Sequence, residues 1–492
     1  MQSSKRLFNF LFFSVSFAFI ALNAYYLTKD IYVVNFLPLI LLFVLTGIFA
    51  MDKLLLMVVF FTPLSLTLSE LYNSKINTDL SMPTEPLLFG MLLLFILKIL
   101  NGYRIDPKIV RHPISIAIVA NLTWIAFTAF TSTLPMVSFK FLVARLWFVI
   151  PGYFITTQVF RDKKNIRRFL WLYILPLMIV VFYTLTEHSK FDFAEHPANW
   201  VVKPFYNDHT SYGAMLAMFI PVLIGFFFLK SYNGLIKFLS LLILGVFLIG
   251  TVLSYTRAAW VSLAVALALL ILLILKIRFR TIMVFIVILM GIFFLNQEKI
   301  MMALEKNNQD SSDNLAEHVE SISNISTDAS NKERLNRWNC AFRMFETKPI
   351  LGYGPGTYSF KYGPFQVLKD KTIISTNHGD AGNAHSEYIG PLAESGILGS
   401  MSFITILVLV LSTGMKLYFN LKDKGLRVLA CSVLLGLMTY FVHGFMNNFL
   451  DTDKASVPFW GFIAMLTAID VYHSGNSTNE PSQLTLPEPA TE

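Results

Sequence analysis

Apolar residues run along this chain in long, nearly uncharged blocks rather than in alternating stripes. Fourteen blocks stand out, at about 7–27, 31–50, 53–70, 84–100, 113–131, 138–158, 167–185, 210–229, 235–253, 257–276, 280–296, 389–415, 425–446 and 455–472. A helix needs about 20 apolar residues to cross roughly 30 Å of hydrocarbon. With one or two of the shorter blocks interfacial or re-entrant, the pattern predicts an all-α polytopic membrane protein of about 12–14 transmembrane helices.

The polar stretches divide the chain. Residues 1–296 read as an N-terminal helix bundle, 297–388 as one large external loop, 389–472 as C-terminal spans and 473–492 as a disordered cytoplasmic tail. Asn307 to Asn331 is rich in Asn, Ser, Asp and Glu and reads as a flexible linker. After it, Leu335, Trp338, Phe342 and Phe345 recur at helical spacing, with Arg334, Arg337 and Ala341 on a neighbouring face. That pattern predicts an amphipathic helix resting its apolar stripe on the bundle or the membrane surface. Pro349 and the glycines at 352, 354 and 356 end it in a tight turn.

Charge changes the picture in one respect. The formal net charge of +8 could indicate nucleic acid, but the basic residues are not spread as a binding patch. With the N-terminus inside, Lys5, Arg6, Lys98, Arg161, Lys163, Lys164, Arg167, Arg168, Lys276, Arg278, Arg280, Lys416, Lys422, Lys424 and Arg427 all fall on the cytoplasmic side, and the short outside loops hold few. Such asymmetry orients a membrane protein. No nucleic-acid partner is implied, and membrane lipids are the expected surroundings. The apolar run after Lys5-Arg6 has no clear small-x-small cleavage site and reads as a retained span. Two cysteines, Cys340 in the outside loop and Cys431 within a span, predict neither a disulfide nor a metal site.

Ionisable groups at span rims are candidates for function because burying them is expensive. Arg257, in Ser254-Tyr-Thr-Arg-Ala-Ala-Trp260, sits at an external span end, as an interfacial anchor or a ligand for an anion. Arg145 lies deeper and requires a carboxylate, a carbonyl or a phosphate partner. His385, in Asn383-Ala-His-Ser-Glu-Tyr-Ile389, stands at the external mouth of a span, where it either caps the chain or takes a proton from a hydroxyl. An outside segment at about 186–209 carries His188, His196, Asn207, Asp208 and His209. Asp451-Thr-Asp453 is a single DxD pair, a weak metal signal.

Four motifs, in order and on the predicted outside face, resemble the O-antigen ligase and polymerase superfamily. They are Thr256-Arg-Ala-Ala-Trp260, Arg334-Leu-Asn-Arg-Trp338, Lys348-Pro-Ile-Leu-Gly-Tyr-Gly-Pro-Gly-Thr357, and Ala384-His-Ser-Glu-Tyr-Ile389 followed by Glu394-Ser-Gly-Ile-Leu-Gly399. The resemblance is specific over about 250–400; Asn207-Asp-His-Thr210 extends it more weakly, and elsewhere it rests on hydropathy. It implies a GT-C-like bundle with one large periplasmic loop, in a bacterial inner membrane, with its active site on the periplasmic face. It implies transfer of a glycan from an undecaprenyl diphosphate carrier to an acceptor sugar hydroxyl, lipid A-core first among acceptors, with no cofactor and no metal. Arg257 and Arg334 would bind the diphosphate, Arg337 offering a second guanidinium beside Arg334, and His385 would activate or orient the acceptor. Arg145, Asn207, His209, Glu387 and Tyr388 are further candidates. Where the superfamily commonly has Asn after the histidine, this chain has Ser386.

The chemistry stands without the resemblance. A departing diphosphate needs its charge held, and guanidinium groups match phosphate oxygens with a two-pronged fork. Base-assisted attack from the opposite face inverts the anomeric centre. Three rivals share parts of the pattern: a polymerase using the same donor, an oligosaccharyltransferase acting on protein hydroxyls, and a lipid-linked glycan flippase. A transporter should carry charges at mid-membrane and repeat-like halves; here they gather at one rim.

Overall fold

The computed structural model describes residues 2–29, 33–71, 80–295, 329–371, 375 and 382–475. Most of the linker expected over Asn307–Asn331, and of the tail expected over His473–Glu492, lies outside the described residues.

The apolar blocks become helices. In chain order these are α1 (Gln2–Leu27), α2 (Leu37–Phe49), α3 (Met51–Phe61), α4 (Thr84–Leu100), α5 (Pro113–Phe130), α6 (Pro135–Val149), α7 (Lys163–Ser189), α8 (His209–Phe228), α9 (Gly234–Leu253), α10 (Arg257–Ile274), α11 (Phe279–Leu295), α12 (Ala329–Thr347), α13 (Gly390–Asn420), α14 (Lys424–His443) and α15 (Asp453–Ala468). Nine described helices are long and apolar enough to cross a membrane: α5, α6 continued to Val159, α7 to α10, α13, α14, and α15 continued to His473. The chain is thus an all-α, multi-pass membrane protein. Among the described residues the only strands are Leu66–Thr67 and Ser81–Met82, paired Leu66 with Met82 and Thr67 with Ser81. The blocks at 31–50 and 53–70 contain helices of 13 and 11 residues. At about 1.5 Å rise per residue, neither reaches across 30 Å of hydrocarbon.

Three helices form the centre. In α8, α14 and α15, 78%, 72% and 83% of the most apolar window is buried inside the protein, against 28% in α9 and α10. Small residues allow this close approach. A Cβ at Gly436 of α14 would lie 2.4 Å from the carbonyl oxygen of Met218 in α8. The outer helices instead turn side chains such as Phe10, Phe17 and Leu41 outward, where hydrocarbon solvates them.

The two rims of the bundle are stitched differently. At one rim Lys416 bridges to Asp470 at 3.0 Å, Lys163 to Asp423 at 3.6 Å, and the Tyr472 hydroxyl donates to Asp106 at 2.9 Å. This is the rim the basic loops mark as cytoplasmic. The other rim gathers α12, the glycine turn and the loop before α13.

Local rules explain how that rim is built. The turn at 352–356 has Gly352, Gly354 and Gly356 in the left-handed region, which carries no Cβ penalty only for glycine. It lies against the start of α13: Tyr353 N–H donates to the Ala393 carbonyl at 3.0 Å and Gly354 N–H to that of Glu394 at 2.8 Å. α13 breaks there, at Gly396 with φ +68°, where a Cβ would meet the Ile350 carbonyl.

α12 is the helix the spacing predicts, but its deeply buried face is not the apolar stripe. Glu333, Asn336, Arg337, Cys340, Ala341 and Met344 are buried, while Phe342 is 37% exposed and Trp338 half-buried against Phe445. Tyr358 and Tyr362, stacked on each other, cover the polar face, and the Tyr358 hydroxyl donates to the Arg337 carbonyl at 2.7 Å. Both cysteines are free and buried.

Candidate active site

Four chain segments meet at the rim: the loop before α13, the N-terminus of α8, the C-terminus of α14, and α12. His385 stands in the first, with φ +47°, in a left-handed conformation uncommon for a residue with a Cβ. Two short-range contacts hold it there. The His385 N–H donates to Asn383 Oδ1 at 3.0 Å, and Ser386 Oγ accepts the N–H groups of Tyr388 and Ile389, each at 3.3 Å. Ser386 thus closes a local side-chain-to-backbone turn, a role that Ser and Asn share.

The Arg334 guanidinium acts electrostatically on three imidazoles, His385, His209 and His443, and the Asp208 carboxylate acts on the same three. Asp208 caps α8, accepting the N–H groups of Thr210 at 2.7 Å and Ser211 at 2.8 Å. His443, 1% exposed, has Nε2 3.1 Å from the Asn447 amide nitrogen. Burial first, then Arg337 and Arg334, push the His385 imidazole down to about 4. It is therefore neutral near pH 7 and free to accept a proton.

Arg257 opens α10 at this rim and is half-buried. The preceding Thr256 donates through Oγ1 to the His209 carbonyl at 3.0 Å, which ties the start of α10 to the same cluster. His385, Arg334, His209 and the Arg257 turn therefore come together from distant parts of the sequence.

Arg337 is placed otherwise. Its Nε donates to Glu333 Oε1 at 2.8 Å, one Nη donates to the Asn383 carbonyl at 3.2 Å, and its guanidinium lies 5.3 Å from the Tyr362 ring centre. Only 7% exposed, it locks the His385 loop onto α12. Both guanidiniums act on His385, Arg337 the more strongly, and Arg334 acts on His209 and His443 as well.

The remaining candidates separate from this cluster. Arg145 forms an ion pair with Asp451 at 3.2 Å, near the Leu450 carbonyl. Glu387 is buried and accepts the Tyr440 hydroxyl and the Leu450 N–H, both at 2.9 Å. Burial and the Asp451 carboxylate push its carboxyl up, while Arg145 pulls it down. Tyr388 donates its hydroxyl to the Phe441 carbonyl at 2.6 Å, a structural role. Asn207 is exposed, beside a small cavity of about 70 Å³ that Asp453 and Lys454 also line. The two carboxylates of the DxD pair have different partners: Asp453 accepts Ser65 at 2.6 Å and Thr84, far from Arg145 in sequence. They do not act as a pair.

On the side of the loop away from His385, Asn383, Ala384, Ser386 and Glu387 line a cavity of about 280 Å³ that includes the Arg145–Asp451 pair. Sequence reasoning passed over Asp208, His443, Glu394 and Asp451 as site residues. Asp208 and Glu394 stood within quoted motifs and Asp451 in the DxD pair, and the Glu333–Arg337 pair had a signal in the four-residue spacing of opposite charges on one helix.

Chemically, the rim offers guanidinium charge, a neutral imidazole and a helix N-terminus, a combination suited to an anionic group beside a reacting hydroxyl. The family model for O-antigen ligase matches residues 241–404, a segment that includes Arg257, Arg334, the glycine turn and His385. No curated protein matches the chain. The matched segment carries the four motifs on this rim, and over it the chain is similar to the O-antigen ligase family.

Proposed function

We propose that this protein transfers a glycan from an undecaprenyl diphosphate carrier to a sugar hydroxyl on the periplasmic face of a bacterial inner membrane, with lipid A-core as the acceptor. The observation that carries the reading is that the His385 loop is hydrogen-bonded to α12 through Arg337 and the Asn383 carbonyl and to the end of α14 through the Glu387 N–H and the Gly444 carbonyl, while Thr256 ties the Arg257 turn to His209. Positive charge and a proton acceptor so close together suit the displacement of a diphosphate by an alcohol.

In this reading Arg334 and Arg257 hold the diphosphate, with Arg337 fixing the loop from behind. The acceptor oxygen attacks the anomeric carbon from the face opposite the carrier. The carbon–oxygen bond to the diphosphate breaks, its electron pair leaves with the phosphate, and the hydroxyl proton passes to His385. The anomeric configuration inverts. Donor binding also prepares the base. The guanidinium charges that depress His385 are offset by the diphosphate's own negative charge, so the imidazole becomes more basic only when the donor is in place. The polyprenyl tail lies along the lipid-facing helices, which accounts for a site at a membrane rim.

The test is turnover by the purified chain in lipid nanodiscs with a polyprenyl diphosphate glycan and a core acceptor. Arg334→Ala and Arg257→Ala should each lower transfer by about 10²- to 10³-fold, the scale of losing one preorganised charge-stabilising donor, with unchanged thermal stability. Near-normal turnover in either variant removes that arginine from the site. In cells lacking the gene, core bearing no glycan marks a ligase, and core bearing a single repeat marks a polymerase.

A further inference from the structure

We infer that the cavity bounded by Arg145, Asp451, Glu387, Glu394 and Asn448 is the acceptor subsite, and that it takes an uncharged or amino-substituted sugar ring. The inference rests on the transferase reading above, which places the donor diphosphate at Arg334 and Arg257, neither of which lines this cavity. The loop separates the two sides by single residues. Asn383, Ser386 and Glu387 line the cavity, and His385 between them does not, among the described residues. A hydroxyl at the cavity edge therefore has a short path to the imidazole.

The size fits one ring. At about 280 Å³ the cavity lies at the lower end of small-molecule sites, which run from roughly 300 Å³ upward. Its polar groups are of the kinds sugars use: carboxylates that accept from hydroxyls, an amide that does both, and a guanidinium held over the Phe141 ring at 5.1 Å. Glu387 supplies the most specific indication. It is 7% exposed, and both of its protein donors, Tyr440 and Leu450, reach the same oxygen, Oε1. Among the described residues Oε2 receives no donor, so one oxygen of this buried side chain is left open to the cavity that Glu387 lines, where a ligand hydroxyl can donate to it.

Charge sets the class of sugar. Three carboxylates, Glu387, Glu394 and Asp451, face a single guanidinium, Arg145, which Asp451 already pairs. A phosphorylated or uronic sugar finds no unpaired cation in this lining, whereas a neutral sugar needs none and an ammonium substituent has carboxyl oxygens to donate to.

Saturation-transfer NMR of the full chain in sugar-free lipid nanodiscs tests this with methyl β-glucoside, methyl β-glucosaminide and methyl β-glucuronide. The first two should bind, and the glucuronide should bind at least about tenfold more weakly, as expected for one charged hydrogen-bond mismatch. Asp451→Asn should narrow that gap and raise the acceptor KM in the transfer assay about tenfold, with the donor KM unchanged. Asn448→Ala, which leaves the ion pair intact, should raise the acceptor KM in the same selective way. Equal binding of all three glycosides, or a rise in the donor KM instead of the acceptor's, overturns the subsite. Failure of the transferase reading looks different: the glycosides discriminate as described, yet no polyprenyl diphosphate donor is consumed.

Discussion

Two residues apart on one loop, His385 and Glu387 look into opposite electrostatic worlds. The strongest charges on His385 are Arg337 and Arg334, and burial drives the imidazole toward neutrality. The strongest charges on Glu387 are Asp451 and Arg145, and burial drives that carboxyl toward neutrality as well. The peptide between them is pinned on both sides: Arg337 holds the Asn383 carbonyl, and the Glu387 N–H donates to the Gly444 carbonyl at 2.8 Å. The comparison teaches that a short, rigid loop can serve as a partition. It presents a proton acceptor to a cationic side and a hydroxyl-binding carboxylate to an acidic side. Two substrates that must meet but carry different charge need such a wall.

The partition is most directly broken at the imidazole. His385→Ala should slow transfer by about 10² to 10⁴-fold, the range attributed to a positioned general base. Donor binding, read as the affinity for polyprenyl diphosphate, should survive, because the guanidiniums remain. A collapse of donor affinity instead would assign His385 to the phosphates and erase the contrast between the two faces.

Arg337 sharpens the comparison from behind. Arg334 and Arg337 lie on one helix three positions apart, and Arg337 pairs with Glu333, whose side chain is 5% exposed. Removing one member of a buried pair strands the other charge, at a cost of about 3–5 kcal/mol. Arg337→Ala should therefore lower the thermal unfolding midpoint markedly, whereas Arg334→Ala should lower turnover and leave the midpoint in place. The reverse pattern would exchange the two roles.

How much of this was readable beforehand follows from what sequence encodes locally. Long apolar blocks specify a membrane bundle, because hydrocarbon thickness acts on segments of the chain. Arg257, Arg334 and His385 stood out because their motifs fall at span ends that the Lys and Arg asymmetry predicts to be external. Arg145 shows the limit: its partner Asp451 is 306 residues away, and no local pattern announces it. The face of α12 was misjudged for a related reason. Its apolar stripe was visible, but the tyrosines at 358 and 362 that fold back over Glu333 and Arg337 belong to a later segment. Glu394 likewise draws its meaning from the glycine turn, whose Tyr358 N–H donates to it at 3.0 Å.

The smallest effect expected is on pH dependence, and it separates the two faces by sign. His385 is lowered from an ordinary value of 6.5 to about 4, so the unfolded chain binds the extra proton between those values. Stability from this residue is present above pH 6.5 and is lost as pH falls toward 4. Glu387 is raised above its ordinary 4.5, so here the folded chain holds the extra proton, and stability is lost as pH rises above that value. Thermal midpoints measured from pH 4 to pH 8 should bend downward at both ends. His385→Gln should flatten the acid side alone, and Glu387→Gln the opposite side alone. Should either variant flatten both, the two groups titrate as one unit, and the loop between them does not insulate one face from the other.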